Sequence, residues 1–186
     1  TSTELKENIV LFDAMTGKKI KPLVNGSRSV NFEELKWLQP GISWSPDNSS
    51  VVFAAKAGKG DVLHIIDVNT KKSETMEINS LDGVFSAAWS PLGNEIAFIG
   101  NKGSSSDIYI YNLDKNNFYQ LTDDVFSDSY PSWSPNGEEI VFVSDRGENI
   151  SGAFDGKMVN HNYSQSDLYT INKESKIISR ITATEY

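Results

Sequence analysis

One motif predicts the fold: Ser132-Trp133-Ser134-Pro135-Asn136-Gly137, followed by the β-branched and aromatic run Glu139-Ile140-Val141-Phe142-Val143. The proline ends one extended segment, the Asn-Gly pair favours a tight turn, and the apolar run favours a returning strand. The pattern returns at Ser43-Trp44-Ser45-Pro46 and at Ala88-Trp89-Ser90-Pro91, so the three tryptophans are spaced 45 and 44 residues apart. A fixed period of this length is typical of repeat architectures.

A second predicted hairpin follows each motif. Its first strand alternates in polarity, its turn is polar, and a short closing strand comes next. The three first strands are Leu63 to Val68, Ile108 to Leu113 and Leu168 to Asn172. Two hairpins give four antiparallel strands per repeat, which is the unit of a propeller blade. The predicted fold class is therefore all-β, with about three and a half propeller blades.

The repeats divide the chain into one half blade and three blades, all within one propeller domain or a segment of one. Residues 1–24 match only the third and fourth strands of a blade. The full blades are predicted at 25–79 with Trp44, at 80–122 with Trp89, and at 123–186 with Trp133 and an inserted loop at 146–166. Helix is expected to be scarce, and the one candidate, Phe32 to Trp37, fits a turn equally well.

The same residues carry a family resemblance. Trp-Ser-Pro-x-Gly, then Asp107-Ile108-Tyr109-Ile110-Tyr111-Asn112-Leu113, then Gln120-Leu121-Thr122 resembles the WD40-like PD40 repeat of TolB-like propellers. The resemblance covers residues 41–182 well and 8–24 more loosely. It implies an exported, periplasmic or extracellular setting, with partner proteins engaged at the mouth of the central channel. Departures occur at Asn48, Val62 and Leu92, where the repeat has glycine, aspartate and aspartate.

The tryptophans are expected to pack between neighbouring blades, and Trp89→Ala is expected to destabilise the fold by about 3–5 kcal/mol. Propellers have about 4–8 blades, and a six-bladed ring of this repeat would need about 265 residues. The chain is therefore expected to leave apolar sheet faces open at its ends. Further blades, a homodimer or a small four-bladed ring would each cover them, and the first is preferred because the chain starts in mid-blade.

Composition excludes several functions. The 186 residues carry a net charge of −8, which disfavours nucleic acid as a partner. There is no cysteine and no apolar run of membrane-spanning length, and residues 1–8 lack a signal-peptide core. Motifs for a serine nucleophile elbow, a zinc peptidase, a phosphate loop or a calcium loop are also missing from the sequence. No cofactor, metal site, catalytic residue, membrane insertion or signal peptide is expected in this chain.

The first candidate site is the channel mouth. Two linkers between blades, one near residue 82 and an acidic one at 123–130, are expected to meet there. Converging carboxylates could hold a cation or a basic peptide, although soluble polar loops would look the same. Asp128→Ala is expected to leave stability nearly intact. The candidate partner-binding residues at the mouth are Asp82, Phe85, Asp124, Phe126, Asp128 and Tyr130.

The second candidate site is the inserted loop, because long loops on a regular scaffold often carry recognition. It combines apolar anchors with polar groups, and a solvated decoration is the alternative. The candidate partner-binding residues in the loop are Phe154, Asp155, Met158, His161 and Tyr163. The other histidine, His64, replaces a tyrosine of the repeat and is expected to be structural.

We therefore interpret the sequence as a non-catalytic propeller scaffold that binds a protein or peptide, within a larger exported bacterial protein. The alternative is a propeller that gates or docks substrate for a peptidase whose catalytic module lies outside this chain. The resemblance supports both, because related propellers accompany such peptidases. A nucleophile-elbow or zinc-peptidase motif in the flanking sequence would favour the alternative.

Overall fold

The computed structural model describes residues 8–24, 34–35, 41–57, 60–150, 158 and 161–184. These residues form fifteen strands in four antiparallel sheets, which confirms the predicted all-β propeller. The half blade holds β1 (Ile9–Phe12) and β2 (Lys19–Val24). The first blade holds β3 (Glu34–Leu35), β4 (Ile42–Trp44), β5 (Ser50–Ala57), β6 (Gly60–Asp67) and β7 (Ser73–Glu77). The second blade holds β8 (Gly83–Trp89), β9 (Glu95–Lys102), β10 (Ser105–Asn112) and β11 (Asn117–Gln120). The third blade holds β12 (Asp128–Trp133), β13 (Glu139–Ser144), β14 (Asp167–Asn172) and β15 (Ile178–Arg180).

Each full blade is a meander in which neighbours in sequence pair in space. In the first blade β3 and β4 both pair with β5, one after the other, so together they form its inner strand. Glu34 and Leu35, within the segment that fits a helix or a turn by sequence, therefore lie in a strand. Pairing with Lys56 and Ala55 satisfies their backbone in place of helical hydrogen bonds.

A repeated turn joins the two outer strands of every sheet. The side-chain oxygen of an aspartate or asparagine at the strand end accepts a backbone N–H two or three residues later, which closes the turn. The third residue after each donates at 2.6 to 2.9 Å in all four sheets. The four accepting residues are Asp13, Asp67, Asn112 and Asn172. The half blade thus has the turn chemistry of outer strands.

The core lies between sheets, not within one. One cluster joins the half blade to the first blade, a second joins the first and second blades, and a third joins the second and third. In the third, Ile108 and Ile110 of β10 contact the cluster that contains Phe142 and Tyr169, all nearly inaccessible to solvent. Each blade therefore depends on its neighbour for stability.

The tryptophans depart from the expected burial. Trp89 and Trp133 are half-buried against the second and third clusters, whereas Trp44 is 45% exposed. The expectation that Trp44 is buried is wrong, because its ring lies in the shallow groove at the ends of the inner strands and not between two sheets. His64, by contrast, is buried against Phe53 with Thr75 at hydrogen-bonding distance, as a structural residue would be.

The third blade leaves one sheet face uncovered. Leu168, Ile177 and Ile181 are 40%, 67% and 56% exposed on it. The corresponding face of the second blade is closed by the third. The described residues thus form an arc with an apolar face at its end.

Candidate functional site

Both candidate sites lie at one end of the blades. In a four-stranded meander, the connection between the second and third strands and the linker to the next blade emerge at the same end. The linker at 121–127 and the loop after β13 therefore share what we call the mouth end. The Trp-Ser-Pro turns lie at the opposite end, which we call the motif end. An isolated bridge between Ser106 and Ser127 ties the linker to β10.

A fully buried arginine organises the mouth end. Arg146 follows β13 and has no solvent-accessible side-chain surface. It donates to Asp124 at 2.9 Å, to Asp128 at 2.6 Å and to the Ser144 hydroxyl at 3.0 Å. Desolvation disfavours its charge, but Asp128 and Asp124 outweigh it and raise the pKa of Arg146. The ion pairs hold the acidic linker against the third blade.

Three aromatic rings surround the same guanidinium. Its central carbon lies 5.6 Å from the ring centroid of Phe126, 5.2 Å from Phe142 and 5.7 Å from Tyr169. Aromatic faces attract cations, most strongly where water is excluded. The Tyr169 hydroxyl in turn donates to the Gly147 carbonyl at 2.8 Å. The linker, the blade and the start of the inserted loop are thus fixed around one side chain.

Asp107 adds a further carboxyl group to this region. It is 1% exposed at the start of β10, and the Gln120 amide donates to it at 3.1 Å. Burial raises the pKa of Asp107 to about 7, and the carboxylates of Asp128 and Asp124 add to the rise. Burial also raises the pKa of Asp128 to about 6, against the opposing effect of Arg146. Near neutral pH the mouth end can therefore take up protons.

The inserted loop meets the linker through His161. Its ring lies 5.4 Å from Phe126 and 4.7 Å from Tyr163, centroid to centroid. Its Nε2 lies 3.1 Å from a carboxylate oxygen of Asp145, and the other oxygen of Asp145 accepts the Ser127 N–H at 2.8 Å. The structure thus brings the two predicted sites into contact, which spacing along the chain did not show.

The predicted residues divide by exposure. Asp82 is exposed and accepts the Gly103 N–H at 2.8 Å, so it joins the linker before β8 to the β9–β10 turn. Tyr130 and Tyr163 are 57% and 65% exposed and present aromatic surface. Phe85, Asp124, Met158 and His161 are half-buried, while Phe126 and Asp128 are buried. Phe154 and Asp155 lie outside the described residues.

The burial of Asp128 contradicts one expectation. Asp128→Ala was expected to leave stability nearly intact, as for an exposed loop carboxylate. Asp128 is 1% exposed and binds Arg146, so removing it would leave a buried charge with one fewer partner, which is costly. Asp128 holds the same guanidinium that binds Asp124 of the linker.

Arg146 and Asp107 are not among the site residues predicted from the sequence. A usable signal was present for Asp107, since it opens the Asp-Ile-Tyr motif and Asp167 stands at the matching position of the third blade. Arg146 had a weaker signal, a single cation directly after a predicted strand. Only the fold shows that Arg146 is buried against the carboxylates of Asp124 and Asp128.

The mouth end offers recognition chemistry. Among the described residues, no group of three or more histidine or acidic side chains could hold a metal ion. Within the part of the chain that the structure describes, no helix is long and apolar enough to cross a membrane. What the mouth presents is a rigid ion-pair network with exposed aromatic and acidic side chains at its edge, which suits contact with polypeptide.

Solved structures with the same arrangement include two TolB proteins. Over the whole of this chain, TolB from Acinetobacter baumannii superposes with a TM-score of 0.71 at 21% identity. A putative TolB from Agrobacterium tumefaciens superposes over 96% of the chain with a TM-score of 0.69 at 18% identity. The chain spans 40% and 57% of the length of those two proteins.

The tricorn protease also contains a similar arc, with a TM-score of 0.55 at 16% identity over 89% of this chain and 15% of its own. No curated protein sequence matches the chain.

These observations define a β-propeller segment built from WD40-like four-stranded blades. A family model described as the TolB beta propeller domain matches residues 25–151, more than half of the chain. The protein belongs to the TolB β-propeller family of PD40 repeats.

Proposed function

We propose that this chain is a non-catalytic scaffold that binds a protein or peptide segment, and that the mouth end is its contact surface. The single observation that carries the proposal is the contact of the inserted loop with the acidic linker at His161 and Phe126. It joins two irregular segments of the repeat into one surface on a rigid base. Irregular segments on a regular scaffold are where recognition concentrates.

The exposed residues of this surface indicate the kind of partner. Tyr130 and Tyr163 offer large rings that bury much area at little entropic cost. Asp82 and Asp123 are exposed carboxylates at the same end. An aromatic surface with an acidic edge complements a polypeptide that carries basic or polar side chains. Family membership supports an exported, periplasmic or extracellular setting for such a partner.

The test uses peptides selected from a random library on the immobilised chain. If the mouth is the contact surface, Tyr130→Ala together with Tyr163→Ala weakens binding of the selected peptides by about 10-fold or more. Tyr119→Ala is the matched control, because Tyr119 is 39% exposed on β11, outside the mouth. Equal affinity for the mouth variant and the control would refute the proposal.

The likeness to the tricorn protease favours one second candidate, a docking propeller for a peptidase module. In that case the mouth would present unfolded substrate to a catalytic module in the same protein. The full-length gene discriminates the two, because the second candidate requires a peptidase motif in the flanking sequence. If this chain binds peptides and the flanking sequence contains no such module, the result supports the scaffold function.

A further inference from the structure

The motif end carries a second surface, distinct from the mouth. The three Trp-Ser-Pro motifs converge there on a shallow groove of about 270 Å³. We call it the tryptophan–proline groove, and its rings belong to Trp44, Pro46, Trp89, Pro91, Trp133 and Pro135. Trp44 is 45% exposed and the three prolines are exposed. The mouth network does not use any of these side chains.

The groove is held rigidly. The Trp89 backbone N–H donates to the Ser43 hydroxyl of the first blade at 2.9 Å, and the Trp133 indole N–H donates to the Ala88 carbonyl of the second blade at 3.0 Å. The turns also pack against each other, since a Cβ on Gly137 would lie 2.8 Å from Leu92. A preformed surface loses little entropy when a ligand binds.

The Trp133 indole indicates that these rings can accept a cation. The ammonium group of Lys173 lies 5.9 Å from the ring centroid of Trp133 and 2.8 Å from a carboxylate oxygen of Glu95. A cation over an indole with a carboxylate beside it is a favourable arrangement. Here the protein supplies the cation itself, to join the third blade to the second.

Trp44 offers a similar setting that a partner could complete. Its ring is exposed, and the carboxylate of Asp47 lies in the turn that follows it. Hydrogen bonds from Ser45 and Ser49 lower the pKa of Asp47, so its negative charge persists at neutral pH. Glu138, in the matching turn of the third blade, is also exposed. The exposed Lys71, Lys115 and Lys176 lie in the outer-strand turns at the same end, but none of the three lines the groove.

We propose that the tryptophan–proline groove binds a proline-rich peptide segment that carries lysine or arginine. Proline-rich segments adopt extended helices that dock into aromatic-lined grooves with little loss of entropy. The acidic turns complement basic side chains within such a segment, and the exposed Trp44 ring receives one of them. This site shares no residue with the mouth, and it differs from the mouth in requiring a proline-rich backbone.

The experiment titrates the full chain with three short repeat peptides, lysine–proline, glutamate–proline and lysine–glycine. Affinity is measured by calorimetry, and the indole N–H resonances are followed by NMR. The lysine–proline peptide is expected to bind most tightly and to shift the Trp44 indole resonance. Trp44→Ala and Asp47→Asn are each expected to weaken it by about two- to fivefold, the range of an exposed cation–ring contact. Tyr119→Ala is the control and leaves it unchanged, because its exposed ring lies outside both the groove and the mouth.

Two results would overturn this proposal. One is equal affinity for the lysine–proline peptide and either of the other two, because the site would then not distinguish charge or backbone conformation. The other is unchanged affinity in both the Trp44→Ala and the Asp47→Asn variants. Asp47→Asn alters an exposed side chain, so a folding defect in Trp44→Ala would still leave one variant to decide.

Discussion

Asp107 and Asp167 occupy the same place in consecutive blades but have opposite electrostatic surroundings. Each lies at or near the start of the third strand of its blade. The backbone N–H of the next residue donates to the hydroxyl of a threonine just after the fourth strand, at 2.8 and 2.9 Å. Asp167 binds Arg180 at 2.6 Å, whereas Asp107 faces the uncharged Gln120. Hydrogen bonds from Thr184 and Arg180 hold the pKa of Asp167 well below its usual range, while burial raises that of Asp107 to about 7.

The first prediction concerns the pH dependence of stability. Because the folded state raises the pKa of Asp107, the folded protein binds more protons than the unfolded chain between about pH 4 and pH 7. The contribution of Asp107 is therefore most favourable in acid and is lost as the pH rises through about 7. Asp107→Asn removes this loss of stability. The free energy of unfolding of the variant is therefore expected to exceed that of the wild type by roughly 1–3 kcal/mol at about pH 8 and by less at about pH 5. Urea denaturation at both values measures it.

Asp167→Asn is the matched control. The lowered pKa of Asp167 stabilises the folded state above the unfolded pKa, and that contribution disappears as the pH falls through the folded value. This variant should therefore lose stability at neutral pH. If the difference between the wild type and Asp107→Asn did not change with pH, the assignment of a raised pKa would be incorrect.

The second prediction concerns Arg146. Arg146→Ala leaves Asp124 and Asp128 without their buried partner and is expected to destabilise the fold by about 3–5 kcal/mol. Arg146→Lys should recover only part of this, because one ammonium cannot donate along both guanidinium directions. Lys115→Ala, at an exposed lysine, should change stability by less than about 0.5 kcal/mol. If denaturation curves gave similar free energies of unfolding for Arg146→Ala and Lys115→Ala, the result would contradict a stabilising role of the ion-pair network.

The third prediction ranks two tryptophans of the motif. Trp133→Ala removes a half-buried ring, its bond to Ala88 and its contact with Lys173, and is expected to cost about 3 kcal/mol. Trp44→Ala removes a ring that is 45% exposed and should cost less than about 1.5 kcal/mol. Thermal or urea denaturation compares the two. Equal losses would mean that Trp44 packs as its repeat partners do.

The fourth prediction concerns Gly41, three residues before Trp44. A Cβ there would lie 2.4 Å from the backbone nitrogen of Ala87, so the first and second blades would have to separate. Gly41→Ala is expected to destabilise by roughly 3 kcal/mol. Gly103→Ala is the control, because that site has a φ of +62° but no neighbouring atom within 4 Å, and should cost only about 1–2 kcal/mol. A smaller loss at Gly41 than at Gly103 would contradict the close approach.

The four-stranded blade could be predicted from the amino-acid sequence alone. Its features depend on hydrogen bonds and backbone preferences within a few residues, so each repeat shows them in its local sequence. They are the Trp-Ser-Pro motif with its turn, the alternating strands, and the outer-turn residues Asp67, Asn112 and Asn172. The two candidate segments were also visible, because an insertion or an acidic linker interrupts a regular repeat.

The contacts between those two segments are visible only in the folded chain. Arg146 meets Asp124 and Asp128 across 22 and 18 residues, and His161 reaches Phe126 from the far side of the inserted loop. The exposure of Trp44 likewise depends on which sheet covers it. Burial and charge pairing arise between blades, where residues distant in sequence exclude water. A local sequence pattern therefore does not show which side chains are buried or paired there.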